Sequence, residues 1–290
     1  ITAAIRGHSD IVIGNVVGSN IANIGLILGI SALIGTISVN KTMIKRDGYI
    51  MIASMILFYI FVINRSLSVI ESVILLIVYA SYMLFVTSPK ETDKTYHFGD
   101  FLNYFLRFQY ITTIRSHLIR EAVNKEDVSV KAKKEYFLFK EGLVKDALLI
   151  IISLVAIVLG GRFIIDEAVW FAEFFGIASN IIAISLIALG TSLPELGVSI
   201  QAIRKKMGDM VIGNIIGSNI SNTLLIIGIS GILSPLKIIP STIAYTAPFM
   251  IALSLYLLFA MQSSWRITKK EATIILGAYI FFILSIFFLI

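Results

Sequence analysis

Long apolar stretches alternate with short polar segments along the whole chain, and this pattern predicts membrane-spanning helices. The eight apolar blocks are 11–39, 48–64, 69–87, 145–163, 175–203, 209–234, 240–261 and 271–290. Most of them reach or approach the roughly 20 apolar residues that a helix needs to cross a bilayer. Because the blocks recur along the entire sequence, a cleaved leader does not account for them. We therefore expect an all-α membrane protein with eight helices in this chain.

The composition agrees with a lipid environment. Hydrophobic residues make up 57% of the chain and charged residues 14%, against roughly 25% charged residues in soluble domains. The mean hydropathy is +0.91. The sequence contains no cysteine, which excludes disulfides and thiolate metal sites. The three histidines are scattered and form no metal-binding cluster in the sequence: His8, His97 and His117.

The positive charges are distributed as in membrane proteins rather than as in nucleic-acid-binding proteins, although the net charge is +6. Lys and Arg lie between the apolar blocks, and the cytoplasmic segments of membrane proteins are enriched in these residues. If segment 89–144 is cytoplasmic, alternation of the helices leaves only Arg6, Arg65, Arg162 and Lys237 outside. We therefore predict a multi-pass protein of the cell membrane, embedded in the lipid bilayer, with no nucleic-acid partner.

Segment 89–144 divides the chain into two membrane halves, 1–88 and 145–290. Aromatic and aliphatic residues recur at helical spacing within this segment: Phe98, Phe101, Leu102, Phe105, Phe108 and Ile111. Such spacing is typical of an amphipathic helix on the cytoplasmic membrane surface. A solvated linker with some packed aromatic residues is the alternative.

The two halves share an internal repeat. From Asp10 the chain reads DIVIGNVVGSNIANIGLILGIS, and from Asp209 it reads DMVIGNIIGSNISNTLLIIGIS, with 15 of 22 positions identical. Alternation of the helices places Asp10 outside and Asp209 inside, so the two copies would cross the membrane in opposite directions. Inverted repeats of this kind are an architecture of secondary transporters.

The second copy is preceded by the segment GTSLPE, residues 190–195, which has no counterpart before the first copy in this chain. Glu195 precedes Gly213 by 18 positions, and the same offset before Gly14 falls five positions ahead of Ile1. We expect a parent sequence that begins further upstream and carries an equivalent acid there. Such a protein would have ten helices, five in each half.

Glu195 lies within an apolar block, where a carboxylate is costly. An Asp at the centre of a membrane helix costs about 2.5–3.5 kcal/mol, so intramembrane acids usually serve a function. Thr191 and Ser192 supply hydroxyls nearby, and Pro194 frees the carbonyl of Gly190 from its helical hydrogen bond. Carboxylate, hydroxyl and carbonyl oxygens suit a hard cation such as Ca²⁺ or Na⁺. A proline kink with a glutamate that snorkels or pairs with a basic residue is the alternative.

Each copy of the repeat carries the motif Gly-Asn-x-x-Gly-Ser-Asn-x-x-Asn. Its GxxxG pairs indicate close helix packing, but packing does not account for three amides and a serine in each copy. Ser19 and Asn23 are four residues apart and share a helix face, as do Ser218 and Asn222. An asparagine oxygen can coordinate a cation without adding charge.

GTSLPE followed by GNxxGSNxxN, in an inverted repeat, resembles the α-repeats of the calcium/cation antiporter superfamily, specifically the prokaryotic sodium/calcium exchangers. The resemblance covers essentially the whole chain. It implies a ten-helix fold with broken helices at a central ion site, and alternating access by sliding of the first two helices of each half. The residues that match the ion site of the family are Glu195, Thr191, Ser192, Ser19, Asn23, Ser218 and Asn222. Position 222 is Asn where some members carry Asp, so a second charge is lacking there.

The expected function is the export of Ca²⁺ in exchange for Na⁺. Glu195 and its upstream equivalent would neutralise one Ca²⁺ or a set of Na⁺ ions, never both at once, and this exclusion is the physical basis of exchange. Exchange needs no covalent step and no cofactor, so we do not expect an enzyme. A proton/calcium exchanger of the same fold is the alternative.

Two rivals from other classes fit less well. An intramembrane hydrolase needs a nucleophile with a paired base, yet the predicted spans contain neither cysteine nor histidine. A cation channel does not need inverted, proline-broken repeats around one neutralising site.

Overall fold

The computed structural model describes residues 1–87, 96–114 and 179–289, with isolated positions between 152 and 176. The described residues are mostly helical. The helices are α1 (Thr2–Ile5), α2 (Ser9–Ile34), α3 (Lys41–Met43, Ile44–Gly48 and Tyr49–Val62 in succession), α4 (Val69–Thr87), α5 (Phe98–Leu106), α6 (Ser179–Ile182, Ala183–Ile187 and Ala188–Arg204 in succession), α7 (Gly208–Leu233), α8 (Thr242–Ser264) and α9 (Lys269–Leu289). The strands are β1 (Ile37–Ser38), β2 (Ser66–Leu67), β3 (Leu236–Lys237) and β4 (Arg266–Ile267).

Six of the described helices are long and apolar enough to cross a membrane: α2, α4, α6, α7, α8 and α9. Helix α3 begins with the charged segment 41–47 and continues as the apolar stretch Tyr49–Val62. Seven of the predicted apolar blocks therefore correspond to described helices. The block at 145–163 lies almost wholly outside the described residues.

The long helices are irregular rather than interrupted. Single π-helical turns occupy Asn23–Leu28 in α2, Ala183–Ile187 in α6 and Ser221–Ile226 in α7. The expected break at Pro194 takes a different form, because α6 stays α-helical over Ala188–Arg204 with the proline inside it. In membrane helices, neighbouring polar groups and local π adjustments satisfy the backbone groups that a proline frees. Single π-helical turns within α-helices, such as those in α2, α6 and α7, are frequent at functional sites.

Two short antiparallel strand pairs join the two halves of the chain. Strand β1 pairs with β4, with Ser38 opposite Arg266, and β2 pairs with β3, with Ser66 opposite Lys237. Each pair takes one strand from each half. Strand β1 follows α2 and β3 follows the repeat-equivalent helix α7, so the two pairs are counterparts in the repeat.

The turn before the second strand of each half is repeated as well. Arg65 and Trp265, which precede β2 and β4, both adopt positive φ, 66° and 53°. The carbonyl oxygen of Arg65 accepts a hydrogen bond from the amide of Ile238 at 2.9 Å, and that of Trp265 accepts one from Val39 at 3.1 Å. The inverted repeat therefore extends beyond the 22-residue motif to the turns.

Helix α5 packs against the last turns of α4. Phe101 is buried, and its ring centroid lies 6.3 Å from that of Tyr82 and 5.7 Å from that of Phe85. The Tyr82 hydroxyl donates to Asp47 at 3.3 Å, and the buried Asp47 accepts two hydrogen bonds from Arg46 at 2.8 and 2.9 Å. Tyr82 thus contacts both Phe101 of α5 and the Arg46–Asp47 ion pair of α3.

The amphipathic pattern of the loop forms a helix and a turn rather than one continuous helix. Phe108 has a φ of 53°, and residues 109–114 form a second helical segment. The Tyr104 hydroxyl donates to Thr113 at 3.0 Å, which folds this segment back onto α5.

Candidate ion-binding site

Helices α2 and α7, which carry the two repeat copies, meet through four asparagines. Asn23 Nδ2 donates to Asn219 Oδ1 at 2.9 Å, and Asn222 Nδ2 donates to Asn20 Oδ1 at 3.1 Å. The repeat relates Asn23 to Asn222 and Asn20 to Asn219, so the two hydrogen bonds are counterparts. The inverted repeat is expressed here in individual side-chain contacts.

The amide nitrogens of Asn219 and Asn20 face buried thioethers. Asn219 Nδ2 lies 3.7 Å from Met51 Sδ, and Asn20 Nδ2 lies 3.5 Å from Met250 Sδ. The two methionines, on α3 and α8, are again repeat equivalents. Asn20 Nδ2 also donates to Thr223 Oγ1 at 2.9 Å. The site therefore includes helices α3 and α8 as well as the two motif helices.

Helix α6 lies directly against α2 because Gly18 has no side chain. A Cβ atom at Gly18 would fall 2.7 Å from the Cβ of Ala188 and 2.5 Å from a backbone carbonyl oxygen of α6. In this close contact, Ser19 Oγ lies 3.1 Å from Thr191 Oγ1, and Thr191 is within 3.2 Å of Asn15 Oδ1. The Thr191 hydroxyl of the GTSLPE segment therefore contacts the polar motif of the first repeat copy.

Glu195 is half-buried on α6, and its Oε2 atom is buried with no hydrogen-bond partner among the described residues. Ser192 and Ser199, at i−3 and i+4, share its helix face and are both buried. Ser199 Oγ and Asn23 Oδ1 are also buried without a described partner. Buried polar atoms without partners are rare in native proteins, and an ion is one of the groups that can satisfy them.

The other predicted residues of α7 lie one helical turn apart. Ser218 and Asn222 are both half-buried. Asn222 is joined to α2 through Asn20, whereas no hydrogen bond joins Ser218 to the other predicted residues in the described part of the chain. The structure thus brings Ser19 and Thr191 into direct contact. It also joins the predicted amide of Asn23 on α2 to α7, and that of Asn222 on α7 to α2.

Sequence reasoning placed Asn20 and Asn219 in the repeated polar motif but not among the ligands, and it did not single out Met51 or Met250. The signal that could have found them is the repeat, since each has an equivalent in the other half at the same offset of 199 residues. The methionines lie outside the 22-residue copies, so only a longer alignment of the two halves would have paired them. Ser199 was also missed, although it follows Glu195 by one helical turn.

Among the proposed ligands in the described residues, Glu195 carries the negative charge and the others offer neutral oxygens. The described residues contain no group of three or more His, Cys, Asp or Glu side chains that could hold a metal ion. Glu195 is accompanied instead by hydroxyl and amide oxygens. Such a set suits a hard cation, whereas soft transition metals prefer thiolate or imidazole ligands.

A cavity of about 580 Å³ opens beside α6. It is lined by Thr191, Gly190 and the carboxylate-bearing Glu167, together with apolar side chains. Thr191 therefore lies both at the Ser19 contact and at the wall of this mainly apolar cavity.

Comparison with known families decides the class of the protein. The family model described as "Sodium/calcium exchanger protein" matches residues 1–88 and 145–288. This chain belongs to the sodium/calcium exchanger family.

Several relatives resemble this exchanger-family chain over most of its length. The sodium/calcium exchanger MaX1 of Methanosarcina acetivorans is 39% identical over 293 residues, which cover 100% of this chain and 83% of that protein. The uncharacterized membrane protein MJ0091 of Methanocaldococcus jannaschii is 31% identical over 277 residues, or 94% of this chain and 76% of that protein. The inner membrane protein YrbG of Escherichia coli is 27% identical over 267 residues, or 92% and 72%.

A solved structure extends the likeness to the fold. The sodium-calcium exchanger NCX_Mj, soaked with 2.5 mM Na⁺ and 10 mM Sr²⁺, matches this exchanger-family chain with a TM-score of 0.61 at 26% identity. The match covers 98% of this chain and 79% of that one. The predicted fold class, an α-helical membrane transporter with inverted repeats, is confirmed. The chain is a multi-pass transporter and not an enzyme.

Proposed function

We propose that this protein exports Ca²⁺ across the cell membrane in exchange for Na⁺ by alternating access. The observation that carries the proposal is the buried, unpartnered Oε2 atom of Glu195 on α6, which packs against the inverted repeat helices. Membership of the exchanger family supports cation exchange as the class of transport. The similar proteins MaX1 and NCX_Mj are both described as sodium/calcium exchangers, which supports Na⁺ and Ca²⁺ as the exchanged ions.

The proposed ion ligands are the side chains predicted from the sequence: Glu195, Thr191, Ser192, Ser19, Asn23, Ser218 and Asn222. Their support comes from unpartnered oxygens of Glu195 and Asn23 and from the contact between Ser19 and Thr191. All of these groups offer oxygen, which Ca²⁺ and Na⁺ prefer.

Exchange follows from competition for one carboxylate. Ca²⁺ and Na⁺ would both bind Glu195, and the negative charge of the site can neutralise one Ca²⁺ or a set of Na⁺ ions but not both, because uncompensated charge is costly in an interior of low dielectric. Occupancy by one ion therefore excludes the other. Helices α2 and α7 are tied by reciprocal hydrogen bonds between asparagine side chains, whereas α6 is joined to α2 through the hydroxyl of Thr191 and by the close contact at Gly18. We take α6 as the helix whose displacement changes access.

We further propose that segment 89–144, between the membrane halves 1–88 and 145–290, faces the cytoplasm with α5 at the membrane surface. The distribution of Lys and Arg supports this orientation. Alternation of the helices puts β1 and Arg266 on the cytoplasmic side and β2 and Lys237 on the outer side. The strand pairs agree with this, because they place Arg266 opposite Ser38 and Lys237 opposite Ser66.

The deciding experiment measures uptake of radiolabelled Ca²⁺ into vesicles that contain the purified protein. Uptake should follow an outward Na⁺ gradient and should not respond to a proton gradient of the same direction. Uptake driven by protons and indifferent to Na⁺ would identify a proton/calcium exchanger instead. Absence of Ca²⁺ uptake under both gradients would contradict calcium exchange altogether.

A further inference from the structure

Two chains of side-chain hydrogen bonds lead to the proposed ligand amides. In the first relay, Met51 Sδ faces Asn219 Nδ2 at 3.7 Å, and Asn219 Oδ1 accepts from Asn23 Nδ2 at 2.9 Å. In the second relay, Met250 Sδ faces Asn20 Nδ2 at 3.5 Å, and Asn20 Oδ1 accepts from Asn222 Nδ2 at 3.1 Å.

The methionine fixes the direction of the first relay. A thioether sulfur can accept a hydrogen bond but has no proton to donate, so Asn219 must turn its NH₂ group towards Met51. Its oxygen then faces Asn23, which must supply an NH₂ group in turn. The Oδ1 atom of Asn23 is left free, buried and without a described partner.

The second relay has the same direction but two acceptors at its start. Thr223 donates its own proton to the backbone carbonyl of Asn219 at 2.8 Å, so towards Asn20 its oxygen can only accept. Asn20 Nδ2 is therefore held by both Thr223 and Met250. Loss of the thioether alone leaves one acceptor in place.

We propose that Met51 and Met250 are positioning residues that make Asn23 and Asn222 present oxygen, rather than NH₂, to the transported cation. The inference rests on the proposed function, since it concerns two of its ligands. A reversed amide would point two N–H donors at a cation and repel it. Each methionine acts through an asparagine of the opposite half, so each half of the protein orients a ligand through the other.

The test replaces sulfur by carbon at nearly constant volume. Met51→Leu leaves Asn219 Nδ2 without an acceptor, and leucine conserves the packing volume well. The KM for Ca²⁺ in Na⁺-driven uptake should rise about three- to tenfold, the range that corresponds to the net contribution of one hydrogen bond, with the maximal rate nearly unchanged. Met261→Leu is the matched control, because Met261 is equally buried and its sulfur accepts no described hydrogen bond.

The two relays should respond unequally. Met250→Leu should raise KM less than Met51→Leu does, because Thr223 still holds Asn20. The double change Met250→Leu with Thr223→Val should bring the effect to the Met51→Leu level. A purely structural loss of packing would not produce this order. The rise in unfolding temperature on adding Ca²⁺ measures binding without transport and should shrink in the same order.

Two results would overturn the relay. One is a Met51→Leu protein whose KM matches that of Met261→Leu while the wild type transports Ca²⁺. The other is an equal effect of Met250→Leu and Met51→Leu. Failure of the proposed function is distinct, because it would be seen in the wild type, as an absence of Ca²⁺ uptake and of Ca²⁺-dependent stabilisation.

Discussion

Gly18 and Ala188 lie so close together that a Cβ atom on Gly18 would fall 2.7 Å from the Cβ of Ala188. This contact brings the hydroxyls of Ser19 and Thr191 within 3.1 Å of each other. The absence of a side chain at one position therefore sets the distance between two proposed ligands on different helices.

Gly18→Ala should lower both stability and transport. Its Cβ would also lie 2.5 Å from a backbone oxygen of α6, and overpacking of this kind costs about 1–3 kcal/mol. The measurement is the thermal unfolding temperature, together with the rate of Ca²⁺ uptake. Gly277→Ala is the control, because a Cβ on this exposed glycine of α9 meets no described atom within 4 Å. Equal behaviour of the two variants would contradict the tight contact.

Glu195→Gln should abolish Ca²⁺ uptake while the protein stays folded. The change keeps the shape of the side chain and removes the charge that a divalent cation needs in a medium of low dielectric. Ser218→Ala should only weaken uptake, because it deletes one neutral oxygen. Asp209→Asn, which neutralises an exposed acid at the start of α7, is the matched control. Normal transport by Glu195→Gln would remove this residue from the site.

The sequence points to those residues of the candidate site whose chemistry is local. Glu195 is conspicuous because a carboxylate stands within an apolar block, and Ser192 supplies a hydroxyl close to it in the sequence. The repeat gave Asn23 and Asn222 in the same way. Membrane helices are likewise recognisable from length and hydropathy alone, and seven of the eight predicted blocks correspond to described helices.

Features that depend on distant contacts could not be predicted. Met51 is an ordinary apolar residue in the sequence, and only the packing of α3 against α7 brings its sulfur to Asn219. The two-residue strands are too short to show an alternating pattern. The positive φ of Phe108 is equally hidden, since nothing in a bulky side chain favours that conformation.

Single cysteines should reveal the sidedness of the strand pairs in this cysteine-free background. Lys237→Cys and Arg266→Cys should react with an impermeant maleimide from opposite sides of the membrane, because they belong to different strand pairs. Ser66→Cys should label from the same side as Lys237→Cys, its direct partner in the ladder. Labelling of Lys237→Cys and Arg266→Cys from one side would contradict the proposed topology.

Phe101→Ala should release α5 from α4. Phe101 is buried against Tyr82 and Phe85, and replacing a buried Phe by Ala costs about 3–5 kcal/mol. Trypsin should then cleave at the nearby Arg107 several-fold faster than in the wild type. Leu102→Ala, on the exposed side of the same helix, should leave the cleavage rate unchanged. Equal rates for the two variants would show that the aromatic contacts do not hold the helix.

The crossed strand pairs limit how the protein can move. Strands β1 and β4 fasten the two halves together at one end of the helices, and β2 and β3 fasten them at the other. A rocking of one half against the other as rigid bodies would have to break backbone hydrogen bonds at each end in turn. No described strand flanks α6, so the proposed displacement of α6 along α2 would leave both fastenings closed and would break only contacts between side chains, such as those of Thr191 with Ser19 and Asn15. In that motion the amides on α2 and α7 would keep their positions while the carboxylate of Glu195 moves.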